Sequence, residues 1–256
     1  MNTPAKDSTY FSLQAMWGIT NHIGGLRATR MLVRACGIRE EDHVLVVGCG
    51  NGKTIIHLAK QHRCRVMSID ISGDMVELAR KRAAREGVAG QTEFHVADAQ
   101  QLPFADSEFD AVICESVNSF VPDKLKAMQE YHRVVRPGRR VGINEVTWLQ
   151  PPTPKIVDYF IDTMGACPLD AEGWADILET AGLGDVTRRV FRPNMLTMWY
   201  DELQQMGITG MFVSWARFFL SLLKWSPELR RFVRKTWPPP WNILSYMGYG
   251  IYTGTK

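Results

Sequence analysis

The stretch His43-Val44-Leu45-Val46-Val47-Gly48-Cys49-Gly50-Asn51-Gly52 is an apolar run that ends in three alternating glycines. It reads as a buried strand turning sharply into a helix, because glycines permit a tight bend and leave room for a ligand against the backbone. The helix that follows starts near Lys53 and points its free N–H groups back at the turn. Such turns also occur in dinucleotide enzymes and in turns that hold nothing, so the flanking sequence has to decide.

Outward from this turn one unit repeats. Strand 65–69 leads to a helix over 73–86, with Ser72 as its cap, Glu77 and Lys81 paired at i,i+4 and Gly87 as its stop. Strands follow at 92–96 and 110–114, then a helix over 123–135 ended by Pro137-Gly138, then a strand over 140–147. Short apolar strands alternating with helices imply right-handed crossovers and a mostly parallel sheet covered on both faces. After Pro151-Pro152-Thr153-Pro154, helices are expected over 155–165 and 170–181, the latter opened by Asp170 and closed by Gly182. A strand over 185–191, an aromatic-rich helical insertion and a closing strand over 246–255 bring the expected total to seven strands. On the other side of the turn, residues 1–9 are polar, and 10–36 read as helical segments broken at Gly24-Gly25. Leu26, Met31, Leu32 and Ala35 are spaced there for one buried face, which fits either a helix on the sheet or a lid over the glycines.

Composition narrows the class. The 256 residues are 45% hydrophobic and 22% charged, enough for one large α/β domain with a sizeable core. The expected layout is a single domain over 1–256, with a helical lid at 1–36, a cofactor-binding core at 37–150 and a cap at 192–245. A net charge of +3, from 30 basic and 27 acidic residues, is too small to argue for nucleic acid as a partner. Five cysteines with no CxxC pair fit buried thiols in a reducing, cytoplasmic setting. Six scattered histidines give no metal spacing, so no metal is expected. No signal peptide and no apolar run of spanning length is visible, which fits a protein that is soluble or at most peripheral at a membrane.

In open α/β sheets ligands sit beyond the carboxyl ends of the strands. Asp70 ends strand two, twenty residues past Gly50, where a carboxylate can accept both hydroxyls of a ribose. Asp98, after strand three in Val96-Ala97-Asp98-Ala99-Gln100, can accept from a purine amine. Glu115 follows strand four, and Asn144-Glu145 end strand five. A dinucleotide calls for GxGxxG, whereas this chain has GxGxG with Lys53 in the place of the third glycine. S-adenosylmethionine carries a cationic sulfonium and no phosphate, which suits a site of carbonyls and carboxylates.

With Val44 to Gly52, the segments Val66 to Ser72, Val96 to Ala99, Leu102 to Val112 and Glu130 to Gly138 resemble the class I S-adenosylmethionine-dependent methyltransferases. They are most similar to the methyltransferase type 11 branch that includes ubiquinone/menaquinone-biosynthesis and sterol C-methyltransferases. The resemblance covers about residues 22 to 147 and implies a Rossmann-like sheet of order 3-2-1-4-5-7-6, with strand seven antiparallel. It also implies that Gly48, Cys49, Gly50, Asn51 and Gly52 cradle the methionine part. Asp70 and Ile71 would hold the ribose, Asp98, Ala99 and Gln100 the adenine, and Glu115 would stand beside the cofactor. Val46 departs from the pattern, since the family usually carries an acid there, and Arg139 replaces a glycine.

Methyl transfer is an in-line displacement at carbon, in which alignment and exclusion of water supply most of the catalysis. Some acceptors also need a base, for which Glu115, Glu145, His22 and Tyr10 are the candidates, Glu115 first. Cys114-Glu115-Ser116-Val117 after strand four is not the Asn/Asp-Pro-Pro-Tyr sequence of amino-methylating enzymes. Met211 to Leu223 is apolar on more than one face, and Lys224, Arg230, Arg231, Arg234 and Lys235 follow among tryptophans. That insertion either packs on its own core or forms a hydrophobic acceptor pocket with a basic rim able to touch a membrane. The expected acceptor is a small hydrophobic or amphipathic molecule of quinone, isoprenoid or lipid type. A small soluble metabolite methylated on O, N or S, or binding of the cofactor without catalysis, are the alternatives.

Overall fold

The computed structural model describes residues 22–193, 216, 220, 234 and 238–256. Helix α1 spans Gly25–Ala35, followed by β1 (His43–Val47), α2 (Lys53–His62), β2 (Arg65–Asp70), α3 (Gly73–Arg85) and β3 (Thr92–Val96). Next come β4 (Phe109–Glu115), a 3₁₀ turn at Asn118–Phe120, α4 (Lys124–Val134) and β5 (Val135–Trp148). The chain closes with α5 (Pro154–Met164), β6 (Leu169–Asp170), α6 (Ala171–Thr180), β7 (Gly184–Phe191), the short α7 (Ile243–Tyr246) and β8 (Met247–Thr255).

The sheet runs β3-β2-β1-β4-β5-β8-β7, with β6 paired to the end of β5. Only β8 runs against its neighbours among the described strands. This is the expected order; the two-residue β6, too short for any sequence signal, raises the count from seven to eight. Alternation along β1 builds both halves of the core. Val44 and Val46 face α1, α2 and α3 with Ala28, Leu32, Ile55, Leu58 and Ala79. Leu45 and Val47 face α4 and α6 with Met128, Tyr131, Trp174 and Leu178. Burying one such Leu or Val side chain is worth roughly 1.5–3 kcal/mol against leaving it in water.

Local signals act as read: the Ser72 hydroxyl accepts from the Met75 N–H, Asp170 accepts from the Gly173 N–H, and Glu77 pairs with Lys81 at 3.3 Å. Two readings need correction. Helix α1 buries Ala28, Thr29, Leu32 and Val33, and of the face expected from spacing only Leu32 is buried. The cause is tertiary. A side chain at Gly24 would meet the Tyr249 ring at 2.6 Å and one at Gly142 would meet Cys36 at 2.3 Å, so the small residues of α1 turn toward β5 and β8. Pro137-Gly138 does not end α4, because the helix stops at Val134 and Val135 already pairs with Phe109 on β4. The Pro-Gly pair lies in a bulge where the register jumps from Val135 to Arg140, and Gly138 takes the left-handed conformation, φ +73°, with its N–H on the Lys256 carbonyl. The readings for residues 1–21, Tyr10 among them, and for most of the 192–245 insertion lie outside the described residues.

Candidate active site

The carboxyl ends of β1, β2, β3 and β4 open on one cavity of about 540 Å³, within the range of small-ligand sites. At the β1 tip Gly48, Gly50 and Gly52 all adopt positive φ, +81°, +47° and +82°, which glycine accepts without strain. The turn folds over β2, where the N–H groups of Gly48 and Cys49 both donate to the Ile69 carbonyl at 2.8 and 2.9 Å. Asp70 ties the loop down, its carboxylate accepting from the Gly50 N–H at 3.1 Å and the Ser72 N–H at 3.0 Å. Burial pushes its pKa up, opposed by those same backbone donors. Asp98 accepts from the backbone and side-chain amides of Gln100 at 2.9 and 3.1 Å, and the Gln100 carbonyl oxygen accepts from the Asp123 N–H.

Glu115 closes the far end, on β4. Its carboxylate accepts from the Thr54 hydroxyl at 2.6 Å and the Thr29 hydroxyl at 3.1 Å, and only 5% of its side-chain surface is exposed. His22 Nε2 lies 3.4 Å from Glu115, 2.9 Å from the Gly25 carbonyl and 3.0 Å from the Thr29 hydroxyl. The Thr29 proton is used on Glu115, so all of these oxygens offer lone pairs and Nε2 carries the hydrogen. That tautomer leaves Nδ1 as the basic nitrogen of neutral His22.

Gly48, Cys49, Gly50, Asn51, Asp70, Ile71, Asp98, Ala99, Gln100, Glu115 and His22 all line the cavity. Two expected site residues do not. Gly52 stands behind the loop as the N-cap of α2, where a side chain would meet the Ala79 backbone at 3.3 Å, so its glycine serves packing of α3 on the turn. Glu145 is fully buried and turned away from the cavity. It accepts from the N–H groups of Val117, Asn118 and Ser119, the Asn118 amide and the Ser119 hydroxyl, which makes it the anchor of the loop after β4.

Residues the sequence reading passed over also line the cavity. Thr54 holds Glu115 from the first turn of α2, a position that necessarily faces the glycine loop. Phe120, Val146, Phe160, Met164, Ala166 and Met247 form an apolar wall from the β4 loop, β5, α5 and β8. Ser116, at the end of β4, takes φ +56° and leaves its buried hydroxyl without a partner. A lining with carboxylates at Asp70, Asp74, Asp98 and Glu115 and an amine at Lys53 suits a nucleoside that carries a sulfonium better than one that carries a pyrophosphate.

Comparison with known proteins agrees. A model of the methyltransferase domain matches residues 45–142. An uncharacterized protein of Haemophilus influenzae is 32% identical over 80% of this chain and 84% of its own. O-methyltransferase cnsE of Penicillium expansum is 33% identical over 64% of this chain, which spans 62% of that relative. Among solved structures, phosphoethanolamine N-methyltransferase 2 of Haemonchus contortus, in complex with S-adenosyl-L-methionine, superposes with a TM-score of 0.74. The two chains are 17% identical, and the match covers 96% of this chain and 56% of the worm enzyme. Residues 45–142 of this chain are a methyltransferase domain. The protein is a class I enzyme whose cofactor is S-adenosylmethionine.

Proposed function

We propose that this protein methylates a small hydrophobic or amphipathic molecule, of the quinone, isoprenoid or lipid type suggested by its motif resemblance. One observation carries the reading: a single cavity joins the polar glycine-loop end to the apolar wall of Phe120, Phe160, Met164 and Met247. Bound S-adenosylmethionine supplies a methyl group on a sulfonium leaving group. The chain's own residues then do the rest. Asp70 accepts from the ribose hydroxyls, and Asp98 with Ala99 and Gln100 borders the adenine. The backbone of Gly48 to Asn51 lies along the methionine part, and the apolar wall excludes water while aligning the acceptor. Where the acceptor loses a proton, His22 Nδ1 is the group that takes it. The lid at 1–36 and the cap at 192–245 belong to this proposal. So does contact with a membrane surface in a cytoplasmic setting, for which the 94% exposure of Trp241 is the support.

O-methylation of a small soluble metabolite is the second reading, favoured by the name of the Penicillium relative. Transfer of labelled methyl from S-adenosylmethionine into lipid and aqueous metabolite extracts separates the two. Label in an organic-soluble product is the expected result; label confined to a water-soluble ether replaces the main reading with the second.

A further inference from the structure

Two of the carboxylates that line the cavity, Asp70 at the end of β2 and Asp98 after β3, face the nucleoside on the reading above, on which this inference rests. Glu115 comes from β4, at the other end, and has been given no ligand group. Its surroundings are unusual for a buried acid. The two hydroxyls that hold it, from Thr29 and Thr54, are neutral. Among the described residues the only nitrogen-bearing side chain within ion-pair distance is the His22 imidazole, with Nε2 at 3.4 Å, and that nitrogen also donates to the Gly25 carbonyl. Val46 at the tip of β1 lines the same end and is apolar. Val46 pairs with Ile113, and Glu115 lies two residues beyond on the same face, so its carboxylate reaches the space above Val46 from the neighbouring strand.

A carboxylate fixed by neutral donors with only 5% of its side-chain surface exposed is costly until a cation meets it. A cofactor that places its nucleoside over β2 and β3 and crosses the glycine loop brings its amino-acid end to β4. We propose that Glu115 binds the α-ammonium of S-adenosylmethionine through charge-assisted hydrogen bonds, as a cofactor-positioning residue and not as the proton acceptor. The two threonines hold the carboxylate in one orientation before the ligand arrives, which lowers the entropy lost on binding.

The test is a cycle of two proteins and two ligands, read by calorimetry. The ligands are S-adenosylhomocysteine and its deamino analogue, in which hydrogen replaces the amino group. Glu115→Gln is expected to bind S-adenosylhomocysteine about 10- to 100-fold more weakly than wild type and to bind the deamino analogue equally well. An equal loss with both ligands, or no loss with either, overturns the proposal. If Gln at this position prevents folding, Glu115→Asp keeps the charge and withdraws it by one carbon. The preference for the amino ligand is then expected to shrink, and an unchanged preference overturns the proposal. Failure of wild type to bind S-adenosylhomocysteine would strike the cofactor assignment itself, a result distinct from either.

Discussion

Glu115 and Glu145 stand near the carboxyl ends of adjacent strands, and on paper they are two equal candidates for the same task. In the sheet Glu115 pairs with Asn144, so Glu145 is one residue further along and points to the opposite face. That single step separates site from scaffold. Glu115 is held by side-chain hydroxyls and opens on the cavity. Glu145 is held by three backbone N–H groups, an amide and a hydroxyl, and sees no cavity. A buried carboxylate satisfied by consecutive main-chain donors fixes a loop, whereas one held by hydroxyls of other elements keeps oxygen lone pairs for a ligand.

The sharpest way to break this contrast is to remove each acid in turn. Glu145→Ala strips the partner from three N–H groups, those of Asn118 and Ser119 buried and that of Val117 partly so, and is expected to cost about 3 kcal/mol of stability, read as a fall in the urea midpoint. Glu115→Ala is expected to move that midpoint by less than about 1 kcal/mol, since the two hydroxyls it frees can turn to each other or to water. Equal losses would mean that both acids are scaffold. Asp70 combines the two kinds of partner, because it both takes N–H groups from the loop and lines the cavity. Asp70→Ala should therefore weaken S-adenosylhomocysteine binding by about 2 kcal/mol and also lower stability by about 1. Normal affinity in that variant would remove the ribose assignment. Thr54→Val, which keeps the shape of the side chain and deletes the 2.6 Å donor to Glu115, should weaken the same ligand by about 1 kcal/mol without moving the midpoint.

What the sequence made legible was local. The glycine turn, the strand tips carrying Asp70 and Asp98, and the capped helices were all marked by neighbouring residues whose chemistry acts over a few positions. What it hid was set across the sheet. The facing of Glu145 depends on the register of β5 against β4 and on the path of residues 117–119. The rotation of α1 depends on Tyr249, more than two hundred residues away in the chain. The pairing of Thr54 with Glu115 joins α2 to β4, and neither residue announces the other. Pro137-Gly138 misled because the same dipeptide that stops helices also forms a bulge, and only the pairing of Val135 with Phe109 shows which it does here.

Acid separates scaffold from site a second time. His57 on α2 has a buried Nε2 with no partner and packs edge-on against His62, centroids 5.5 Å apart. Burial, with the charges of His62 and Arg30, lowers its pKa from 6.5 to about 4. Between these values the unfolded chain takes up a proton that the folded chain refuses, so stability is unaffected by this group above about pH 6.5 and falls as the pH drops toward 4. Asp70 titrates with the other consequence. Its raised pKa means that the carboxylate proposed to hold the ribose is lost on acidification at a pH above the ordinary aspartate range, and affinity is expected to fall with it. Replacing His57 with Leu should therefore flatten the stability profile between about pH 6.5 and 4 while leaving the acid loss of S-adenosylhomocysteine affinity in place. Urea midpoints and calorimetry at matched pH values check both. If the affinity profile flattens together with the stability profile, the loss of binding in acid is loss of fold, and Asp70 is not the group that reports it.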